Sequence, residues 1–116
     1  PNIRWKFLQG KKTDFYDVYG DGVIKIIFTP GHTPGHSSVL VNLPKTGHML
    51  LTGDACYTGD HWCDTCLPGL VASATDAANS VKKLRKVAKD HNAKVVWGHD
   101  PVSWLDWKKA PMFYYD

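Results

Sequence analysis

The sequence predicts an α/β chain of short strands around one long amphipathic helix. Two features carry that reading: β-branched runs that end in glycine-containing loops, and a single switch to helical periodicity late in the chain. The expected order of strand, strand, strand, long loop, helix, strand is too sparse to close a two-layer core alone. A partner layer from outside these residues is expected to complete it.

The first strand is residues 23–29, Val-Ile-Lys-Ile-Ile-Phe-Thr, which run into Pro30-Gly31. Residues 38–43 and 48–52 are the arms of a β-hairpin, with Pro44-Lys45-Thr46-Gly47 supplying the turn. Residues 57–71 mix Gly, Pro, Asp and aromatics without a period, as functional loops do. Ala77, Val81, Leu84 and Ala88 then recur at helical spacing opposite Lys82, Lys83, Arg85, Lys86 and Lys89, with Ser73 and Asp76 placed as a cap, so a helix is expected over 74–91. A last strand covers 94–97, and one helical turn is expected around 104–108.

Composition narrows the function. A formal charge of +3, with the basic residues gathered mostly between Lys82 and Lys89, describes a solvated helix face rather than a nucleic-acid groove. No apolar run reaches the ~18 to 20 residues of a membrane span. Three cysteines, Cys56, Cys63 and Cys66, are an odd number in a short chain, which argues against a complete disulfide framework and for a reducing, cytoplasmic setting. Cys63-Asp64-Thr65-Cys66 has no second Cys pair to complete a zinc knuckle, so it is read as a loop feature, with a disulfide between the two left open. The absence of an initiator Met gives the expectation of a fragment or processed product.

Three strand-end loops place a metal-capable side chain behind a glycine: Gly31-His32, Gly53-Asp54 and Gly98-His99. Glycine lets the backbone turn sharply beside an ion, and two imidazoles with a carboxylate suit Zn²⁺. His32-Thr33-Pro34-Gly35-His36-Ser37, Leu51-Thr52-Gly53-Asp54 and Trp97-Gly98-His99-Asp100 stand in this order along the chain. Together they resemble the later motifs of the metallo-β-lactamase superfamily, and the step from His32 to Asp54 resembles its N-acyl-homoserine lactonase branch.

The resemblance implies the C-terminal half of an αββα sandwich over residues 1–116 and two Zn²⁺ ions in the intact protein, other divalent metals being compatible. It makes His32 a ligand of one metal, His99 a ligand of the other, and Asp54 the bridging carboxylate. His36 becomes a supporting residue that orients its loop. Tyr57, three residues after Asp54, matches the lactonase tyrosine, implying a catalytic and substrate-binding phenol that stabilises charge as the ring of a small-molecule lactone opens. His48, His61 and His91 match no motif and are expected in solvent. Trp62, Leu67, Leu70 and the aromatic tail are expected to pack, with a wall for an acyl chain as a second role.

The superfamily's leading motif, His-x-His-x-Asp-His, is not found in these 116 residues. The implied partner is therefore the N-terminal half of the domain, and the isolated chain is expected to be inactive. A homodimer of the intact enzyme is compatible with the resemblance. Two alternatives stay open: another hydrolase of this fold, such as a thioesterase or a lactonase for other rings, and a non-catalytic partner-binding fragment.

Overall fold

A computed structural model describes residues 2–10, 14–63 and 66–116. Five strands form one sheet in the order of the chain: β1 (Phe15–Asp17), β2 (Ile24–Phe28), β3 (Ser37–Leu43), β4 (Gly47–Leu51) and β5 (Lys94–Val96). The first four form an antiparallel meander, and β5 joins β4 in parallel. Among the described residues there are also three α-helices, α1 (Gly59–Trp62), α2 (Ala74–Asp90) and α3 (Pro101–Asp106), and a short 3₁₀ turn at Gly53–Ala55.

The strand period of two sorts side chains between the sheet's faces. Leu40 pairs with Leu50, and Leu50 with Val95, on the face that α2 covers. Ile27, Leu40, Leu50, Ala55, Leu84 and Val87 close into one buried cluster there. Leu84 is wholly buried, and truncating it to Ala would cost about 2–5 kcal/mol. Neighbouring residues face the other way: Leu50 is 0% exposed but Leu51 is 41% exposed. This second face carries Val41, Leu43, Met49, Leu51 and Val96, lined in part by Trp104, Trp107 and Tyr115.

The helix α2 follows the sequence pattern closely. Ser73 accepts the Asp76 backbone N–H on its hydroxyl at 3.2 Å, and Ala77, Val81 and Leu84 are buried, with Ser80 and Val87 added to the inward stripe. The three strands of the hairpin region and β5 also lie within a residue of their expected bounds.

Other expectations are corrected. The segment 57–71 is not aperiodic throughout, because α1 occupies its first part with Thr58 as cap. The last helix is Pro101–Asp106, set earlier than expected because the Asp100 carboxylate caps it at Val102 and Ser103. The strand β1 was not expected at all. His48, His61 and His91 are half-buried, not solvated: the His48 and His91 rings meet at a tilt of 44° with centroids 4.7 Å apart, and the His61 ring centroid lies 5.7 Å from that of Tyr57. Cys63 and Cys66 are exposed free thiols, while Asp64 and Thr65 between them lie outside the described residues. No helix among the described residues is long and apolar enough to cross a membrane.

Candidate metal centre

The strands β2, β4 and β5 run in the same direction, so the loops after them meet at one edge of the sheet. Those loops carry His32, Asp54 and His99. Two glycines allow the close approach. A Cβ on Gly31, whose φ is +140°, would lie 2.4 Å from the Ala77 backbone of α2. A Cβ on Gly98 would lie 2.5 Å from the Gly53 carbonyl oxygen, so backbone meets backbone where the Asp54 and His99 loops approach at these two glycines.

Asp54 stands between the two imidazoles. Its Oδ2 is 3.3 Å from His32 Nε2 and its Oδ1 is 2.7 Å from His99 Nε2. Each carboxylate oxygen thus faces a different histidine. The three side chains do not converge on one point, and among the described residues no group of three or more His, Cys, Asp or Glu closes into a metal-holding cluster.

The His32 tautomer fits ligation. Its Nδ1 lies 3.1 Å from the Leu70 carbonyl oxygen, which requires the proton on that nitrogen and leaves the Nε2 lone pair towards Asp54. An imidazole lone pair and a carboxylate oxygen at 3.3 Å are two acceptors, an arrangement that calls for a cation or proton between them. Residues 70–73 hold the loop in place: the Ala72 and Ser73 N–H groups both donate to the Gly31 carbonyl, at 2.8 and 3.0 Å.

His36 does not face the other imidazoles' carboxylate. Its Nε2 accepts the Asp54 backbone N–H at 3.0 Å, and its Nδ1 lies 3.1 Å from the Thr29 carbonyl oxygen and 2.9 Å from the Thr29 hydroxyl. Burial pushes this imidazole below its ordinary pKa, so the neutral form that can accept is favoured. The Thr29 hydroxyl continues to Ser38 Oγ at 2.9 Å, and Ser38 donates to the Thr52 carbonyl at 2.8 Å. Thr29, Ser38 and Thr52 are all buried. This chain of hydrogen bonds leaves Asp54 and returns two residues before it, fixing the turn that presents the carboxylate.

Tyr57 lies against both His32 and His99. Its hydroxyl is 3.2 Å from His32 Nδ1, and its ring meets that of His99 edge-on with centroids 4.7 Å apart. Asp100, the residue after His99, accepts the Gly59 N–H at 3.2 Å. Burial raises the pKa of its carboxyl, but hydrogen bonds from Gly59, Ser103 and Val102 together hold it below its ordinary value.

A family profile described as the metallo-beta-lactamase superfamily matches residues 3–99. The chain belongs to that superfamily. Among curated relatives, the N-acyl homoserine lactonase AttM of Rhizobium radiobacter is 56% identical over 98% of this chain and 43% of its own length. An N-acyl homoserine lactonase of Bacillus cereus is 36% identical over 86% of the chain and 37% of its own length. The chain also superposes on the solved structure of an N-acyl homoserine lactone hydrolase with its product N-hexanoyl-L-homoserine at the catalytic metal center. That match has a TM-score of 0.84 at 29% identity and covers 100% of this chain and 43% of the other. The chain therefore spans well under half the length of the relatives it matches.

Within this metallo-β-lactamase-fold edge, His32, Asp54, His99 and Tyr57 come together and His36 supports them from behind. Sequence reading missed Thr29, Ser38, Thr52 and Asp100. The first three carried one usable signal, hydroxyls at inward positions of β3 or at strand ends, where an apolar side chain would otherwise pack. The acyl-chain wall is revised. Trp62 packs against the core under Arg85, and the tail lies at the far end of the strands, where Lys45 N–H donates to the Asp116 carbonyl at 2.9 Å. Leu70, 74% exposed, stays beside His32.

Proposed function

We propose that the whole protein is a metal-dependent hydrolase that opens the ring of N-acyl-homoserine lactones, quenching quorum signals. The observation that carries this is Asp54 between His32 and His99, with each carboxylate oxygen turned to one imidazole and Tyr57 on the same edge. The names and product of the relatives support the substrate class. A divalent metal is what the superfamily implies. The finer reading is two Zn²⁺ ions, with His32 on one, His99 on the other and Asp54 shared.

The donor set fits such a pair but does not complete it. Structural zinc takes about four ligands, so two imidazoles and one shared carboxylate need further donors from residues outside these 116. When bound, the metal pair supplies an activated water and Lewis acidity for ester cleavage. The chain's own residues do the rest. Asp54 holds the two imidazoles at a fixed separation, Leu70 sets the His32 tautomer, and His36 fixes the Asp54 turn. The Tyr57 hydroxyl donates a hydrogen bond to the oxygen that gains charge. A cytoplasmic location belongs to the same proposal, supported by the odd cysteine count.

The test is hydrolysis of N-hexanoyl-homoserine lactone by the whole protein, beside a thioester of the same acyl length. Lactone opening that falls about 10²-fold or more in Asp54→Ala is expected. Thioester cleavage without lactone opening would overturn the reading.

A further inference from the structure

The segment carrying Tyr57 and the segment carrying His99 lie side by side, joined by three successive hydrogen bonds. Gly98 N–H donates to the Cys56 carbonyl at 3.2 Å, and His99 N–H donates to the Tyr57 carbonyl at 2.9 Å. The third reverses direction: Gly59 N–H donates to Asp100 Oδ2 at 3.2 Å. The first two are backbone to backbone. The third is made by a side chain, and it is the one that a substitution can remove.

The same carboxylate divides its oxygens between two tasks. Oδ1 accepts Val102 N–H at 3.0 Å and Ser103 N–H at 3.3 Å, capping α3, while Oδ2 reaches across to Gly59 at the start of α1. Gly59 also lies against the Trp97 ring, which a Cβ there would meet in ordinary van der Waals contact at 3.6 Å. Asp100 therefore clamps α1 to α3 and the His99 loop at the point where the chain leaves Tyr57. The Tyr57 ring meets the His99 ring edge-on, with centroids 4.7 Å apart, between the two segments that these bonds join.

We infer that Asp100 is a positioning residue that sets the placement of the Tyr57 phenol by tying Gly59 to the His99 loop. The inference rests on the catalytic reading of Tyr57 for its kinetic consequence but not for its geometry. Carboxylate chemistry is needed here because two independent acceptor oxygens are used at once. Asparagine has one acceptor oxygen and is as good a helix cap as aspartate, so Asp100→Asn can keep α3 capped while giving up the Gly59 bond.

The experiment compares Asp100→Asn, Tyr57→Phe and the double variant in the whole, metal-loaded protein. Asp100→Asn is expected to lower kcat on N-hexanoyl-homoserine lactone about tenfold, within the loss that a small misplacement of a reacting group produces. KM and metal content should stay near wild type. The double variant should be no slower than Tyr57→Phe alone, because both changes remove one contribution. Nuclear Overhauser contacts between the Tyr57 and His99 rings should weaken in Asp100→Asn. Additive losses, a fall in bound metal, or ring contacts unchanged from wild type would each overturn the inference. If Tyr57→Phe turns over at the wild-type rate, the catalytic reading of Tyr57 fails, and the ring contacts alone then decide whether Asp100 places it.

Discussion

The Nε2 of His36 accepts the backbone N–H of Asp54 at 3.0 Å, and this bond separates the two histidines of the His32-to-His36 motif. One faces the carboxylate of Asp54, the other its backbone. Substituting His36→Ala leaves the Asp54 N–H and the Thr29 hydroxyl chain without their partner. Stability should fall by about 1–3 kcal/mol, the cost of a buried polar group left unpaired. Metal affinity of the whole protein should fall about 10- to 100-fold, the usual effect of removing a group that orients a ligand. Urea unfolding and a metal titration measure the two. An unchanged affinity would assign His36 to folding alone.

Gly98 gives a sharper steric test. An added methyl would sit 2.5 Å from the Gly53 carbonyl oxygen, and neither partner is a flexible side chain. Gly98→Ala should therefore push the His99 and Asp54 loops apart and destabilise by about 1–3 kcal/mol. Gly35, in the loop between His32 and His36, is the control: a Cβ there meets nothing within 4 Å. Gly35→Ala should stay within about 0.5 kcal/mol of wild type. Equal thermal shifts for both variants would contradict this account.

The three loops that carry His32, Asp54 and His99 were legible because each is local: an apolar strand, a glycine and a metal-capable side chain in close succession. The hairpin and α2 were legible for the same reason, through period and turn chemistry. What escaped depends on tertiary neighbours. The strand β1 is three residues long and owes its existence to pairing with β2. The helix α1 has four residues, with Gly59 and Asp60 that favour turns over helix. Thr29 and Ser38 look like surface hydroxyls until β2 and β3 are paired and α2 covers them. His48 and His91 are 43 positions apart, and only the parallel return of β5 beside β4 brings them together.

Thiol chemistry should divide the cysteines. Burial pushes the Cys56 thiol up to about 11, and its Sγ sits 3.4 Å from the Thr58 carbonyl. Cys63 and Cys66 are exposed. At pH 8 the thiolate is the reactive form, so a chromogenic disulfide should titrate two thiols quickly in the native protein and the third only on unfolding. Rapid reaction of all three would mean that the Ala55 and Cys56 turn opens readily.

The His48–His91 pair predicts how stability depends on pH. Burial, then the like charges of His91 and Lys25, hold His48 below its ordinary value. The unfolded chain, with its imidazole near about 6.5, takes up the proton first as pH falls. This contribution is thus fully present above about 6.5 and is lost as pH drops through that value towards the lower folded one. The carboxyls of Asp17, Asp90 and Asp100, all held low, act in a more acidic window and do not interfere. His48→Gln keeps a polar side chain opposite Asn42 on β3 but cannot charge. Urea midpoints at pH 7.5 and 5.5 should fall more between the two in wild type than in His48→Gln. Identical slopes would remove the pair from the acid response, leaving it to His36, which burial also holds low, and to the carboxylates.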